Sequence, residues 1–263
     1  MSLIHSTAVI DPAARVHESA RVDAYAVIDA HVEVGAECHV GPQVHLTGHT
    51  TIGTGNTFHT GAVIGDAPQD TKYDGKPTRV RIGTGNTFRE HVTVHRSNTL
   101  EEDTVIGDDN FFMAHSHVGH NSVVGNGNTF ANAALLGGHV VVGDGVFISA
   151  YCGIHQFVRI GSMMMMQGHG GASKDMPPFT MASEGLNNLC GLNTVGLRRA
   201  GVGPEERKEL KALYHRLFLS GGLMGEEVKA ALTEGPGERA REMLEFIAAS
   251  KRGVSSHGRS RGG

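Results

Sequence analysis

Apolar residues recur at every sixth position from Ile4 to Met166. The row runs Ile10, Val16, Val22, Ile28, Val34, Val40, Leu46, Ile52, Phe58 and Ile64, and it resumes at Ile82. Of its 28 positions, 26 are apolar, and only Asp70 and Lys76 break it. A helix repeats every 3.6 residues and a plain strand every 2, so neither alone gives this period. Six residues suit one short strand plus a tight turn. Three such sides close a coil of eighteen residues, with coils stacked roughly 4.8 Å apart. Two residues before many stops stands a slim residue, among them Ala26, Cys38, Ala62, Ser116, Ala134 and Cys152, or an asparagine, as at Asn56, Asn86, Asn110 and Asn128. Glycine follows many stops (Gly35, Gly41, Gly53, Gly107, Gly119, Gly137), and the turns are expected to use Gly or Asn for positive φ. The expected fold is an all-β solenoid of about nine coils.

The pattern resembles the hexapeptide-repeat left-handed parallel β-helix, and the handedness rests on that resemblance. Aliphatic side chains filling a thin prism account for the absence of Trp and for aromatics at only 5%. The broken stops lie in a polar, Pro- and Gly-containing stretch that must leave the prism. The expected organisation is a β-helix over 1–190 with excursions near 65–81 and 95–105, the second keeping the period through Leu100. A small α-helical domain over 191–253 and a disordered Gly/Ser/Arg-rich tail over 254–263 follow.

A net charge of −4 argues against a nucleic-acid binder. The three cysteines, Cys38, Cys152 and Cys190, are too few and too far apart for a disulfide framework or zinc knuckle. With no signal peptide or spanning segment in view, a cytoplasmic location is expected.

Phe111 to Gly125 carries His115, His117 and His120. Phe112, Ser116 and Val118 point inward, so the histidines face outward or stand at corners. One coil further lie Gly138, beside His120, and His139, beside Asn121. His120, Gly138, His139, His155 and Gln156 are expected on one outer wall. A glycine N–H about 5 Å from a histidine offers a place for an oxyanion, and the histidine can take a proton from a hydroxyl nucleophile. The rival is zinc held between subunits, as in gamma-class carbonic anhydrases. Those resemble an H-x-x-x-x-H pair, whereas the spacings here are two and three. No metal and no cofactor are expected. His5, His17, His31, His39, His45, His49 and His59 read as solvent or subunit contacts.

The stretches "IGDAPQDTKYDGKPTRVRIG", "HVGHNSVVGN", "LLGGHVVVGD", "GIHQFVRIG", "KDMPPF", "GLNTVGLRRAG" and "SKRGV" together resemble the acyl-carrier-protein-dependent UDP-N-acetylglucosamine O-acyltransferases of lipid A biosynthesis. The resemblance implies a homotrimer that moves a 3-hydroxyacyl chain from acyl carrier protein to the sugar 3-hydroxyl. It implies His120 as general base and the Gly138 N–H as oxyanion donor. Asp70, Lys72 and Tyr73 would contact the sugar nucleotide or acyl group. His117, His139, His155 and Gln156 would line the cleft. Asn193, Arg198 and Arg199 would meet the uridine diphosphate, where guanidinium forks suit phosphate. Gly168 would leave the acyl groove open for a long chain. Three positions depart from the family pattern. Asn121 replaces an Asp that orients the imidazole, and Val195 and Ala200 stand where relatives carry an acid and an Arg. Arg198, Arg199, Arg207, Lys208, Lys211 and Arg216 form a basic set that would suit an acidic carrier protein. A related N-acyltransferase acting on the 3-amino analogue shares every one of these motifs.

Overall fold

The computed structural model describes residues 3–258. Short strands collect into three sheets of ten, eight and eleven, each taking every third strand until the last few strands of the ten- and eleven-stranded sheets. They form the three walls of a left-handed β-helix. Val9 pairs in parallel with Val27 and Val27 with His45, eighteen residues apart each time. The offset grows to thirty between Val63 and Thr93 and to twenty-four between Thr93 and His117. At these two places the chain leaves the wall, over 67–78 and 96–103. Leu100 keeps the six-residue spacing yet is 44% exposed, because it rides on the second excursion and does not enter the prism.

The interior is not purely aliphatic. Phe58, Phe88, Phe112 and Phe130 stack along it with ring centroids 4.9, 4.9 and 4.8 Å apart, so one ring per coil fills one row. Beside them runs an asparagine ladder. Asn86 Nδ2 donates to Asn56 Oδ1 at 3.0 Å, and Asn110 Nδ2 to Asn86 Oδ1 at 2.9 Å. These amides also close the corners, since Asn110 Nδ2 reaches Gly125 O at 2.9 Å.

The turns differ from the expectation. The corner residue at positive φ is three places after most stops and is often not glycine: Tyr25, His31, His115, Asn121, His139 and Phe157 occupy it. Such a conformation costs about 1–3 kcal/mol at a non-glycine residue. Main-chain bonds between coils offset it, as where His139 N–H donates to His120 O at 2.8 Å. The glycines just after the stops answer a different need. A Cβ on Gly35 would lie 2.5 Å from Gly53 O, and one on Gly41 2.5 Å from Phe58 O, so the wall passes too close for a side chain.

After Pro177-Pro178, Thr180–Ala182 extends one sheet and Asn188–Leu192 folds back antiparallel to it. Four helices follow: α1 (Thr194–Arg199), α2 (Pro204–Phe218), α3 (Met224–Thr233) and α4 (Glu238–Ala248). The short α1 starts at an Asn193 cap, and α2 starts with Pro204 in its first turn. Leu210, Leu213, Leu217, Val228, Met243, Leu244 and Ile247 form a second core with Phe179. The disordered tail expected from 254 is corrected for its first part. Ser256–His257 pairs in parallel with Asn188–Leu189, and the buried Ser255 donates its N–H to Asp175 O at 2.9 Å. An open strand edge supplies the partners that a Gly/Ser-rich composition does not advertise. Residues 259–263 of that expected tail lie outside the described residues.

Candidate active site

A groove of about 710 Å³ runs along one wall across four coils. His117 and His120 come from one coil, Leu135 to Gly138 from the next, Gly153 to Gln156 from the third, and Ala172 and Ser173 from the fourth. Stacking at roughly 4.8 Å per coil makes it about 14 Å long. Its floor is apolar through Leu135, Leu136 and Ile154, with Gln69, His95, His117 and His120 toward one end and His155, Gln156 and Ser173 toward the other.

The eighteen-residue coil sets Gly138 directly against His120. A Cβ on Gly138 would fall 2.6 Å from both Cε1 and Nε2 of the imidazole, so only glycine lets the ring lie there. The Gly138 N–H meets no acceptor among the described residues. His120 Nδ1 is 2.8 Å from Asn121 Oδ1. Asn121 is itself buried and fully engaged. Its Oδ1 also accepts from Asn98 N–H at 3.0 Å, its Nδ2 donates to Ser97 Oγ at 2.8 Å, and its N–H donates to Thr104 Oγ1 at 2.8 Å.

The two excursions meet above this pair. Asn98 Nδ2 donates to Asp70 Oδ2 at 2.8 Å. Arg96 ties the first excursion down by donating to Gly65 O at 2.9 Å and to Tyr73 Oη at 3.1 Å, with its guanidinium over the Tyr73 ring. Asp103 holds both Arg79 and Arg81 at the base of the second. The Lys72 backbone N–H, and then the Asn98 amide, keep the Asp70 carboxyl below its ordinary range.

Burial, helped by His95 and His120, pushes His117 down to about 4. Its Nδ1 bonds Thr93 Oγ1 at 2.8 Å. Burial also lowers His95 and His139. His139 sits edge-on to His120 with centroids 5.2 Å apart and stacks on Phe157 at 4.5 Å, so it braces the His120 ring. No group of three or more His, Cys, Asp or Glu side chains placed to hold a metal ion occurs among the described residues. Among them, too, no helix is long and apolar enough to cross a membrane.

Of the residues singled out in the sequence, the groove brings together His117, His120, Gly138, His155 and Gln156. Several others do not line it. The Tyr73 hydroxyl is spent on Lys76 O and Arg96, so this residue fastens its loop. Gly168 lies outside the lining, its nearest neighbour for an added Cβ being Ala150 O at 3.4 Å. Asn193 caps α1 by accepting from Gly196 N–H at 2.9 Å and donates to Met163 O, and Arg198 and Arg199 project from α1 into solvent. Arg216 is removed from the basic set, because Glu227 and Glu234 both pair with it. Sequence reasoning missed Gln69 and His95. His95 is 6% exposed, lines the groove and has no partner for Nδ1 among the described residues. It stands where coils measure thirty and twenty-four residues, so no count of eighteen aligns it.

A family profile described as Udp N-acetylglucosamine O-acyltransferase, Domain 2, matches residues 175–255. The acyl-[acyl-carrier-protein]–UDP-N-acetylglucosamine O-acyltransferase of Burkholderia lata is 42% identical over 261 residues, covering 97% of this chain and 99% of that protein. Among solved structures, the UDP-N-acetylglucosamine acyltransferase of Francisella novicida is similar with TM-score 0.92 and 31% identity, covering 98% of this chain and 95% of that one. The enzyme of the same description from Campylobacter jejuni gives TM-score 0.90 and 33% identity over 97% of this chain and 100% of that one.

Proposed function

This chain belongs to the UDP-N-acetylglucosamine O-acyltransferase family, and on that premise we propose that His120 is its general base and Gly138 its oxyanion donor. The reaction is transfer of a 3-hydroxyacyl chain from acyl carrier protein to the 3-hydroxyl of UDP-N-acetylglucosamine, the first step of lipid A biosynthesis. The imidazole takes the hydroxyl proton through Nε2 as the sugar oxygen attacks the thioester carbonyl. The negative charge on the tetrahedral carbonyl oxygen falls to the Gly138 N–H. Collapse breaks the C–S bond, the imidazolium returns its proton to the departing thiolate, and an ester and a free carrier thiol remain.

The observation that carries this reading is the pairing of His120 with an unengaged N–H of Gly138 at one end of an apolar groove. His117, His155, Gln156, Gln69 and His95 supply polar contacts to the sugar nucleotide, and Asp70 and Lys72 reach it from the first excursion. Asn193, Arg198 and Arg199 lie off their own chain's groove, so they serve a neighbouring chain's site in a homotrimer. The outward apolar residues Val123, Val141 and Phe147, each 38–42% exposed, suit burial between prisms. Three free thiols, Cys38, Cys152 and Cys190, fit a reducing cytoplasm. The test is acyl transfer in the presence of a chelator, with 3-hydroxyacyl carrier proteins of several lengths and either UDP-N-acetylglucosamine or its 3-amino analogue. Transfer to the hydroxyl acceptor with a long donor is expected. Transfer to the amine alone would contradict the acceptor.

A further inference from the structure

We propose that the excursion over 96–103 is a polarity lock that sets the tautomer of His120: Ser97 and Asn98 hold the Asn121 amide with its oxygen toward Nδ1, which leaves Nε2 unprotonated. The inference rests on His120 being the base.

An amide in this place poses a problem that a carboxylate does not. A carboxylate accepts through either oxygen, so a histidine beside it always keeps its proton on the near nitrogen. An amide has two ends. With Oδ1 toward the ring, Nδ1 must be the donor and Nε2 keeps a lone pair. With Nδ2 toward the ring, Nδ1 must accept, the proton moves to Nε2, and the ring has no basic nitrogen left in the groove.

The polarity here is dictated by main-chain groups that cannot invert. The Asn98 N–H is a donor only, and it meets Asn121 Oδ1 at 3.0 Å. Ser97 Oγ gives its proton to Thr99 O at 2.8 Å and accepts from Thr99 N–H at 3.0 Å, so it faces Asn121 Nδ2 as an acceptor at 2.8 Å. Thr99 Oγ1 at 3.4 Å and Glu102 Oε2 at 3.3 Å are further acceptors on the same end of the amide. Both ends of the amide are therefore assigned independently, and they agree. Ser97 is fully buried and Asn121 is 5% exposed, so water does not compete for these positions. Asn98 also binds Asp70 on the first excursion, so the lock is tied to the loop expected to meet substrate. Ser97 and Asn98 are positioning residues, acting on the base through Asn121.

The experiment uses the full chain with ring-¹⁵N histidine, with His120 assigned by its absence in His120→Gln. The expected wild-type spectrum is the Nδ1–H tautomer. Ser97→Ala removes one neutral hydrogen bond from the lock and is expected to raise the Nε2–H fraction and lower kcat about three- to tenfold, with KM unchanged. In an Asn121→Asp background, where no wrong orientation exists, the same Ser97→Ala change is expected to cost less than twofold. An Nε2–H ring in the wild type overturns the proposal. So does an equal factor in the two backgrounds, including no loss in either, since Ser97 would then be merely structural. Failure of the acyltransferase reading shows separately, as absence of transfer in the wild type, while the tautomer is still read from the spectrum.

Discussion

Gly138→Ala separates the position of the proposed base from the presence of the proposed oxyanion donor. The substitution keeps the main-chain N–H and adds one methyl. That methyl would lie 2.6 Å from Cε1 and Nε2 of His120 and 3.1 Å from Cδ2. Ordinary contact between such atoms is about 3.5 Å, so the ring must retreat by about 1 Å. It is the movable partner, because the nearest atoms belong to a side chain and not to the wall. Retreat disturbs the 2.8 Å contact to Asn121 Oδ1 and the edge-on contact with His139. A displacement of about 1 Å at a reacting group costs about 100-fold in rate, or roughly 2.7 kcal/mol of transition-state stabilisation. The assay is kcat/KM for acyl transfer alongside thermal unfolding. The expected result is a fall of about 100-fold with Tm within about 4 °C of wild type, the shift that about 1 kcal/mol produces in a chain of this size. Activity within threefold of wild type would refute the reasoning, because the ring would then have no need of its place.

Two further outcomes follow from the interior and from the histidine cluster. His117 is neutral in the fold down to about pH 4 but titrates near 6.5 when unfolded. The unfolded chain therefore binds the extra proton between those values, and stability falls with falling pH by up to about 1.4 kcal/mol per unit from this group; His117→Gln should flatten the slope in Tm measured from pH 6.5 to 4. Asn110→Ala removes the amide that donates to Gly125 O and accepts from the Asn128 N–H and strands both, while Asn86 Oδ1 keeps the Asn110 main-chain N–H; this should destabilise by about 2–3 kcal/mol in guanidinium unfolding with little change in the local strand pattern.

The regular part of the fold was legible because one inward side chain per six residues leaves a direct trace in the sequence. The neighbourhood of Gly138 and His120 follows from an eighteen-residue coil alone. Legibility failed where coils change length. Leu100 kept the period by coincidence while its backbone had left the wall, and His95 and Gln69 sit where the count is interrupted. It failed again where a residue type has two uses. Glycines after the stops looked like turn formers but are there for close approach of coils, while the turns accept His, Tyr and Phe because coil-to-coil hydrogen bonds hold them. Asn121 read only as a departure from an orienting acid. Its surroundings on the second excursion could not be seen from the sequence, and they are what fixes its orientation. Asn193 is placed by its bond to Met163 O, thirty residues away, which no local pattern records.

The central claim is that the proton moves through His120. The most direct measurement is kcat for acyl transfer to UDP-N-acetylglucosamine by His120→Ala against wild type, with both proteins shown to have the same thermal unfolding. Loss of a positioned general base removes about 10²- to 10⁴-fold, and a fall of that size is expected. A folded His120→Ala protein that turns over within tenfold of wild type would contradict it.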